Sequence, residues 1–151
     1  MDETYIKVKG VCHYLYRTVD KLRQTIDIYL SKRRDLAAAK HFFQKAFRSS
    51  GISKKVNIDK SGSNTTALND INKSLKSEEK IFIRQNKYLN NLVEQDHRFI
   101  KKIAKPMLGF YSLKSARATL CGIELHHMLR KGQHKTLNQL PIWKQFCSLA
   151  G

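Results

Sequence analysis

Three strand patterns precede any helical one, and this order constrains the fold of the chain more than any other feature. Residues 2–10 alternate, with Asp2, Thr4, Ile6 and Val8 on one face and Glu3, Tyr5, Lys7 and Lys9 on the other, the period of a half-buried strand. Apolar runs at 13–19 and 25–30 follow after short polar breaks and predict an antiparallel meander. Asp2 therefore falls on the apolar face, where a carboxylate is costly unless it is paired, protonated or bound to a metal. Glu3 lies on the opposite face and Asp20 at a turn, which sets both apart from Asp2.

Helical spacing begins at residue 34. An Ala-rich segment, 34–48, carries Leu36, Ala39, Phe43, Ala46 and Phe47 on one side and stops at Ser49-Ser50-Gly51. A short apolar run, 56–59, ends in Asp59 and meets a loop of turn formers, Lys60-Ser61-Gly62-Ser63-Asn64. A helix over 65–75, a brief strand over 80–84 and a helix over 90–102 come next. In that last helix Leu89, Leu92, Val93, Phe99, Ile100 and Ile103 form an apolar stripe, while Glu94, Lys101 and Lys105 project opposite, with Arg98 close by. A carboxylate set among cations suits a phosphate-binding cleft, although an ordinary i,i+4 pair of Glu94 with Arg98 has the same spacing. Asp96 falls inside the apolar stripe and is expected to be structural, with Arg17 or Arg117 as its cation. The segment 113–130 predicts another helix, packed through Ala116, Leu120, Ile123, Leu125 and Met128. Residues 134–151, with Pro141, Trp143 and Phe146, are expected to form a short appended helix or a partner-binding tail.

A chain of 151 residues has the size of one domain. Its 29 Lys and Arg against 12 Asp and Glu give a net charge of +17, so a polyanion, nucleic acid first, is the natural partner. No apolar run approaches the roughly 18 residues that span a bilayer, and no amino-terminal signal pattern is present; the expected location is the cytoplasm, without a membrane partner. Cys12, Cys121 and Cys147 are odd in number and widely spaced, which predicts reduced thiols, with Cys121 packed in a helix. The spacing of Cys121, His126, His127 and His134 matches no usual zinc pattern.

Three acids remain: Asp2 on the first strand, Asp59 at a strand's carboxyl end and Glu94 on a helix. The order three strands, helix, strand, helix, strand, helix is that of an RNase H-like mixed sheet flanked by helices, in which such acids meet at one edge. Carboxylates that close repel one another, and two divalent cations about 4 Å apart would relieve the repulsion. Hard oxygen donors favour Mg²⁺, with Mn²⁺ as a substitute.

The chain also resembles a known family, the DDE transposases of bacterial insertion sequences, within them the sixth insertion-sequence family. The resemblance rests on Asp2-Glu3-Thr4-Tyr5-Ile6-Lys7-Val8-Lys9-Gly10, Tyr14-Leu15-Tyr16-Arg17-Thr18-Val19-Asp20, Arg33-Arg34-Asp35, Asp59-Lys60, Lys87-Tyr88-Leu89-Asn90-Asn91, Glu94-Gln95-Asp96-His97-Arg98 and Gly122-Ile123-Glu124. It implies a retroviral integrase-like catalytic core over 1–133, which leaves 134–151 as a C-terminal tail or helical extension outside the resemblance. It makes Asp2, Asp59 and Glu94 the catalytic and metal-binding triad, holding two Mg²⁺ ions. Lys101 takes the family's basic position near the bound DNA end, and Arg98, His97 and Lys60 are assigned to DNA with it. The implied reaction is metal-dependent cleavage that frees a 3′ hydroxyl, then attack of that hydroxyl on target DNA. Transposon ends and target DNA are the implied partners, a homodimer the expected assembly, and the bacterial nucleoid the place of action.

Members of that family carry a helix-turn-helix before the first catalytic Asp, and here Asp2 follows Met1 directly, so that module is expected to be absent. The alternative function is a catalytically inactive DNA-binding fragment that joins or inhibits a full-length transposase. A basic RNA-associated protein would explain the charge and leave the three acids unexplained; no aromatic cluster suited to base stacking supports it.

Overall fold

The computed structural model describes residues 1–59, 61–85, 91–134 and 139–150. Strands β1 (Asp2–Val8), β2 (Val11–Val19) and β3 (Thr25–Ser31) form an antiparallel sheet in the order β1-β2-β3. Asp2 pairs with Arg17 and Val8 with Val11. The intervening turn, Lys9-Gly10, has φ of 49° and 75°; two positive values match the twist of a tight hairpin. At the next turn the Asp20 carboxylate accepts the Leu22 and Gln24 amides, both at 2.8 Å, so Asp20 is the turn residue its position predicts.

Helix α1 (Leu36–Ser50) is capped by Asp35, whose carboxylate accepts the Ala38 amide at 2.9 Å, and it ends at Gly51 with φ 78°. Then come β4 (Lys55–Ile58), α2 (Gly62–Ser74) and β5 (Phe82–Gln85); β4 and β5 pair in parallel, with α2 in the crossover. Helices α3 (Asn91–Ala104), α4 (Leu113–Arg130) and α5 (Ile142–Ala150) complete the chain. The predicted elements are all present, with ends displaced by a few residues. The expected single sheet is instead a three-stranded and a two-stranded sheet among the described residues. Between them, the Met1 amine donates to the Asn57 carbonyl at 2.9 Å and lays β4 beside the start of β1.

Both faces of the three-stranded sheet are covered, because alternation sends successive side chains to opposite sides. Ile6, Val8, Leu15 and Leu30 pack with Ile100 and Ala104 of α3 and Ala116 and Leu120 of α4. Tyr16, on the other face, joins Ala39, Phe42 and Phe43 of α1 and Ala67, Leu68 and Ile71 of α2, with Met1, Ile58 and Ile81. Each large side chain so buried contributes about 1.5–3 kcal/mol. Asp2 and Glu3, adjacent in sequence, consequently face different helices.

Helix α4 carries a buried acid that its apolar spacing does not predict. Glu124 is only 3% exposed. Its carboxylate accepts Arg17 Nε at 3.0 Å and Nη2 at 2.7 Å, while the Thr25 hydroxyl accepts Arg17 Nη2 at 2.8 Å and donates to Glu124 Oε1 at 2.5 Å. Arg17 and Arg117 are the cations expected for Asp96, whose side chain lies outside the described residues; of their described contacts, Arg17 donates to Glu124 and Arg117 to the Leu30 carbonyl at 3.4 Å. The tail forms a helix, α5, whose Phe146 ring lies edge-on to His126 of α4. All three cysteines are free and exposed, so Cys121 is not packed as its helical position suggests. No helix of the described residues is long and apolar enough to cross a membrane.

Candidate active site

One end of the fold gathers the acids. β1 starts at Asp2, β4 stops one residue before Asp59, and the buried Met1 amine sits where these two strands meet. Burial lowers the pKa of that amine to about 6, and the charges of Asp2 and Asp59 oppose the shift, so both carboxylates act on one buried group. Helix α3 crosses this end: His97 is 1% exposed, with Nδ1 3.8 Å from Asp2 Oδ2. Position 94 lies nearly one turn before His97 and Lys101 about one turn after it on the same helix. Arg98, Lys101 and Lys102 are exposed.

Asp59 is oriented from the protein side. Its Oδ1 accepts the Ser61 amide and Asn64 Nδ2, both at 3.2 Å, and its Oδ2 lies 3.5 Å from Arg34 Nη2. Ser61 caps α2, so the amide end of that helix faces the acid, a favourable orientation for negative charge. The same two donors serve Glu3: Asn64 Nδ2 reaches Oε1 at 2.7 Å and Arg34 Nε reaches Oε2 at 2.6 Å. Burial raises the Glu3 pKa against the pull of Asn64 and Arg34. For Arg34, desolvation works to lower the pKa, and the charge and hydrogen bond of Glu3, with Asp59, outweigh it. Side-chain exposure is 39% for Arg34 and 33% for Asp59, and with Ser61, Gly62 and Ser63 they line an open depression. A larger apolar cavity of about 520 Å³, on another side of Met1, is lined by Thr18, Phe43, Phe47 and Val56 among others and includes neither Asp2 nor Asp59.

The residues expected from sequence thus separate into groups. Asp2 and Asp59 reach the same end of the fold. Arg98 and Lys101 are presented to solvent. His97 is interior, against Asp2, and not open to a phosphate as its place among cations suggests. Lys60 and the Glu94 side chain lie outside the described residues. Glu3, set aside because it faces away from Asp2, is joined to Asp59 through Asn64 and Arg34. Arg34 and Asn64 had no assigned role; only the Arg33-Arg34-Asp35 motif marked this place. Among the described residues, which exclude the Glu94 side chain, no three His, Cys, Asp or Glu side chains are grouped to hold a metal. The donors at this end are carboxylate oxygens, part-exposed and partly satisfied, a set that fits a hard divalent cation.

A mixed α/β domain with acids at strand ends is the class of protein that these observations define. The chain belongs to the family described as the DDE domain, whose sequence pattern matches residues 1–133. Over 137 residues it is 39% identical to the transposase for insertion sequence-like element IS431mec of Staphylococcus aureus, a match that covers 91% of this chain and 59% of that protein. The transposase for insertion sequence element IS257 in transposon Tn4003, also of Staphylococcus aureus, matches with the same identity and coverage. The uncharacterized protein pYV0051 of Yersinia pseudotuberculosis is 33% identical over 66 residues, 42% of this chain and 62% of that protein. The chain therefore spans 59% of the length of the transposases it matches.

Proposed function

We propose that this chain is the catalytic core of an insertion-sequence transposase, cleaving DNA and joining the freed 3′ hydroxyl to a target strand. The observation that carries the reading is the convergence of Asp2 and Asp59 on one end of the fold, crossed by the helix that bears Glu94. The finer fold assignment, RNase H-like, follows if β4 is taken as the neighbour of β1: the strands then run 3-2-1-4-5 with helices on both faces.

Asp2, Asp59 and Glu94 are the residues that would hold Mg²⁺, which when bound supplies a Lewis acid for the phosphodiester and lowers the pKa of a bound nucleophile. The chain's own residues position and neutralise. Ser61 and Asn64 fix one oxygen of Asp59, while Arg34, held by Glu3, keeps its guanidinium beside the other. His97 restrains Asp2 from the interior side. Arg98 and Lys101, exposed on α3, offset the charge of an approaching phosphate, and Lys60 is assigned with them. Groups placed in advance in this way lower the barrier without reorganising during the reaction. The net charge of +17 supplies sequence-independent, salt-sensitive attraction to DNA. A homodimer is the assembly proposed, acting on DNA in the bacterial cytoplasm.

The test is Mg²⁺- or Mn²⁺-dependent nicking and strand transfer on a pre-cleaved DNA end. Asp59→Asn and Glu94→Gln are expected to lower the rate by at least about 10²-fold with DNA binding retained. Equal rates in the parent and both variants would remove these acids from the site. DNA binding with no strand transfer by the parent chain would favour a non-catalytic DNA-binding fragment.

A further inference from the structure

The opposite end of β1 carries a second feature that the acids do not explain. Between α3 and α4 the chain makes a short 3-10 turn, Lys105–Met107, then places Leu108 in the left-handed region at φ 55° and Gly109 at φ 118°. Leu108 is 91% exposed and Tyr111 87% exposed, with Met107 exposed beside them. A non-glycine residue in this conformation persists only where its surroundings enforce it. Here they do: Lys9 N donates to Phe110 O and Phe110 N to Lys7 O, both at 2.8 Å, and Leu108 N donates to Lys105 O at 3.2 Å. A Cβ on Gly109 would lie 3.2 Å from Lys7 Cβ and O, so strand and loop are already in contact. Ser112 and Ser115 lock the far side through a capping box on α4. Two large side chains are therefore held outward on a fixed frame.

The surroundings say what this frame meets. Lys7 and Lys9 flank it from the hairpin, Lys105 and Lys114 from the chain on either side, and Lys9 Nζ lies 5.5 Å from the Tyr111 ring centre. Between Asp96 and Glu124 the sequence has six Lys and Arg and no acid, and none occurs between Glu3 and Asp20. An apolar apex with cationic shoulders complements a ligand whose anionic rim encloses an apolar stack. Duplex DNA is such a ligand, and proteins that kink it insert apolar side chains between base steps while cations hold the flanking phosphates.

We infer that residues 107–111 form a wedge that enters duplex DNA at a base step, with Leu108 and Tyr111 against the bases and Lys7, Lys9, Lys105 and Lys114 on the phosphates. β1 has seven residues, so this contact lies roughly 20 Å along the strand from Asp2 and is distinct from the reacting phosphate. The inference rests on the reading that the substrate is DNA. It deepens that reading by assigning a second contact, which unstacks bases at a place where no bond is cut.

The experiment uses the full chain in EDTA, with duplexes carrying 2-aminopurine at successive positions. Anisotropy reports binding and 2-aminopurine emission reports unstacking. The parent chain is expected to raise emission several-fold at one or more positions. Leu108→Ala is expected to abolish most of that rise while weakening binding by less than about tenfold. Lys7→Ala and Lys9→Ala are expected to weaken binding and each reduce the salt slope by about one. Absence of any binding by the parent chain overturns the DNA reading and the wedge together. Binding without an emission rise, or a rise that Leu108→Ala leaves unchanged, overturns the wedge alone. Loss by Leu108→Ala of binding to anionic phosphatidylserine vesicles, with DNA behaviour unchanged, assigns the loop to a membrane surface and also overturns it.

Discussion

Two clusters in this molecule are built from the same parts, and they differ in what surrounds them. In the first, Arg17, Glu124 and Thr25 lie between the sheet and α4, with side-chain exposures of 0% and 4% for the ion pair. In the second, Arg34 is shared by Glu3 and Asp59 at the edge of the fold, and Asn64 bridges the same two acids. There Glu3 is 5% exposed, but Arg34 is 39% and Asp59 33% exposed. The first cluster ends on protein at every contact that joins its members, and acts as a strut between β2, β3 and α4. The second has one acid held by two close donors and one whose Oδ2 is 3.5 Å from its cation. Burial thus turns an arginine–carboxylate pair into architecture, whereas partial exposure leaves one open to solvent.

The buried cluster is tested most severely by Glu124→Ala. Glu124→Ala takes away the carboxylate that accepts Arg17 Nε and Nη2 in the interior, and the expected cost is about 3–5 kcal/mol in urea denaturation. The double change Arg17→Met with Glu124→Leu should recover part of it, since the desolvation cost of this pair disappears with the pair. A loss below about 1 kcal/mol for Glu124→Ala alone would show that the strut bears little.

A smaller effect lies beside the open cluster, where pH acts on the Met1 amine. Its folded pKa of about 6 lies below the ordinary value of 8.0, so between these values the unfolded chain binds more protons. Stability should therefore rise from pH 6 to pH 8, by up to about 2 kcal/mol, and be unaffected by this group below that window. Urea midpoints in EDTA across the range measure the slope, and acetylation of the amine should remove it. A slope unchanged by acetylation would assign the dependence to other groups.

At the open cluster, Glu3 is expected to matter least for stability. Glu3→Gln keeps an acceptor for Asn64 and removes a desolvated charge, so stability should change by less than about 1 kcal/mol. Arg34 would lose its anchor, and strand transfer should fall about tenfold, or roughly 1.4 kcal/mol of barrier, at low Mg²⁺. Unaltered transfer across a Mg²⁺ titration would make Glu3 a structural acid like Glu124.

Local sequence determined a great deal here. Alternation in residues 2–10 placed Thr4, Ile6 and Val8 in the core, Ser49-Ser50-Gly51 ended α1, and the α4 spacing gave Leu113–Arg130. These features depend on neighbours within one turn or one pleat, where period and capping chemistry suffice. Element positions singled out the acids Asp2, Asp59 and Glu94, and the resemblance carried by the motifs gave them a role; the family match over residues 1–133 supports the resemblance. What stayed hidden were partners far along the chain. Glu124 reads as a polar interruption of an apolar helix until Arg17, 107 residues away, is brought against it. Glu3 reads as the wrong face of a strand until α2 delivers Asn64 to that face, 61 residues later. His97 reads as one more cation until α3 packs and buries it beside Asp2. Periodicity fixes which face a side chain takes; which element covers that face, and what charge it carries there, is decided only when the sheet and its helices pack.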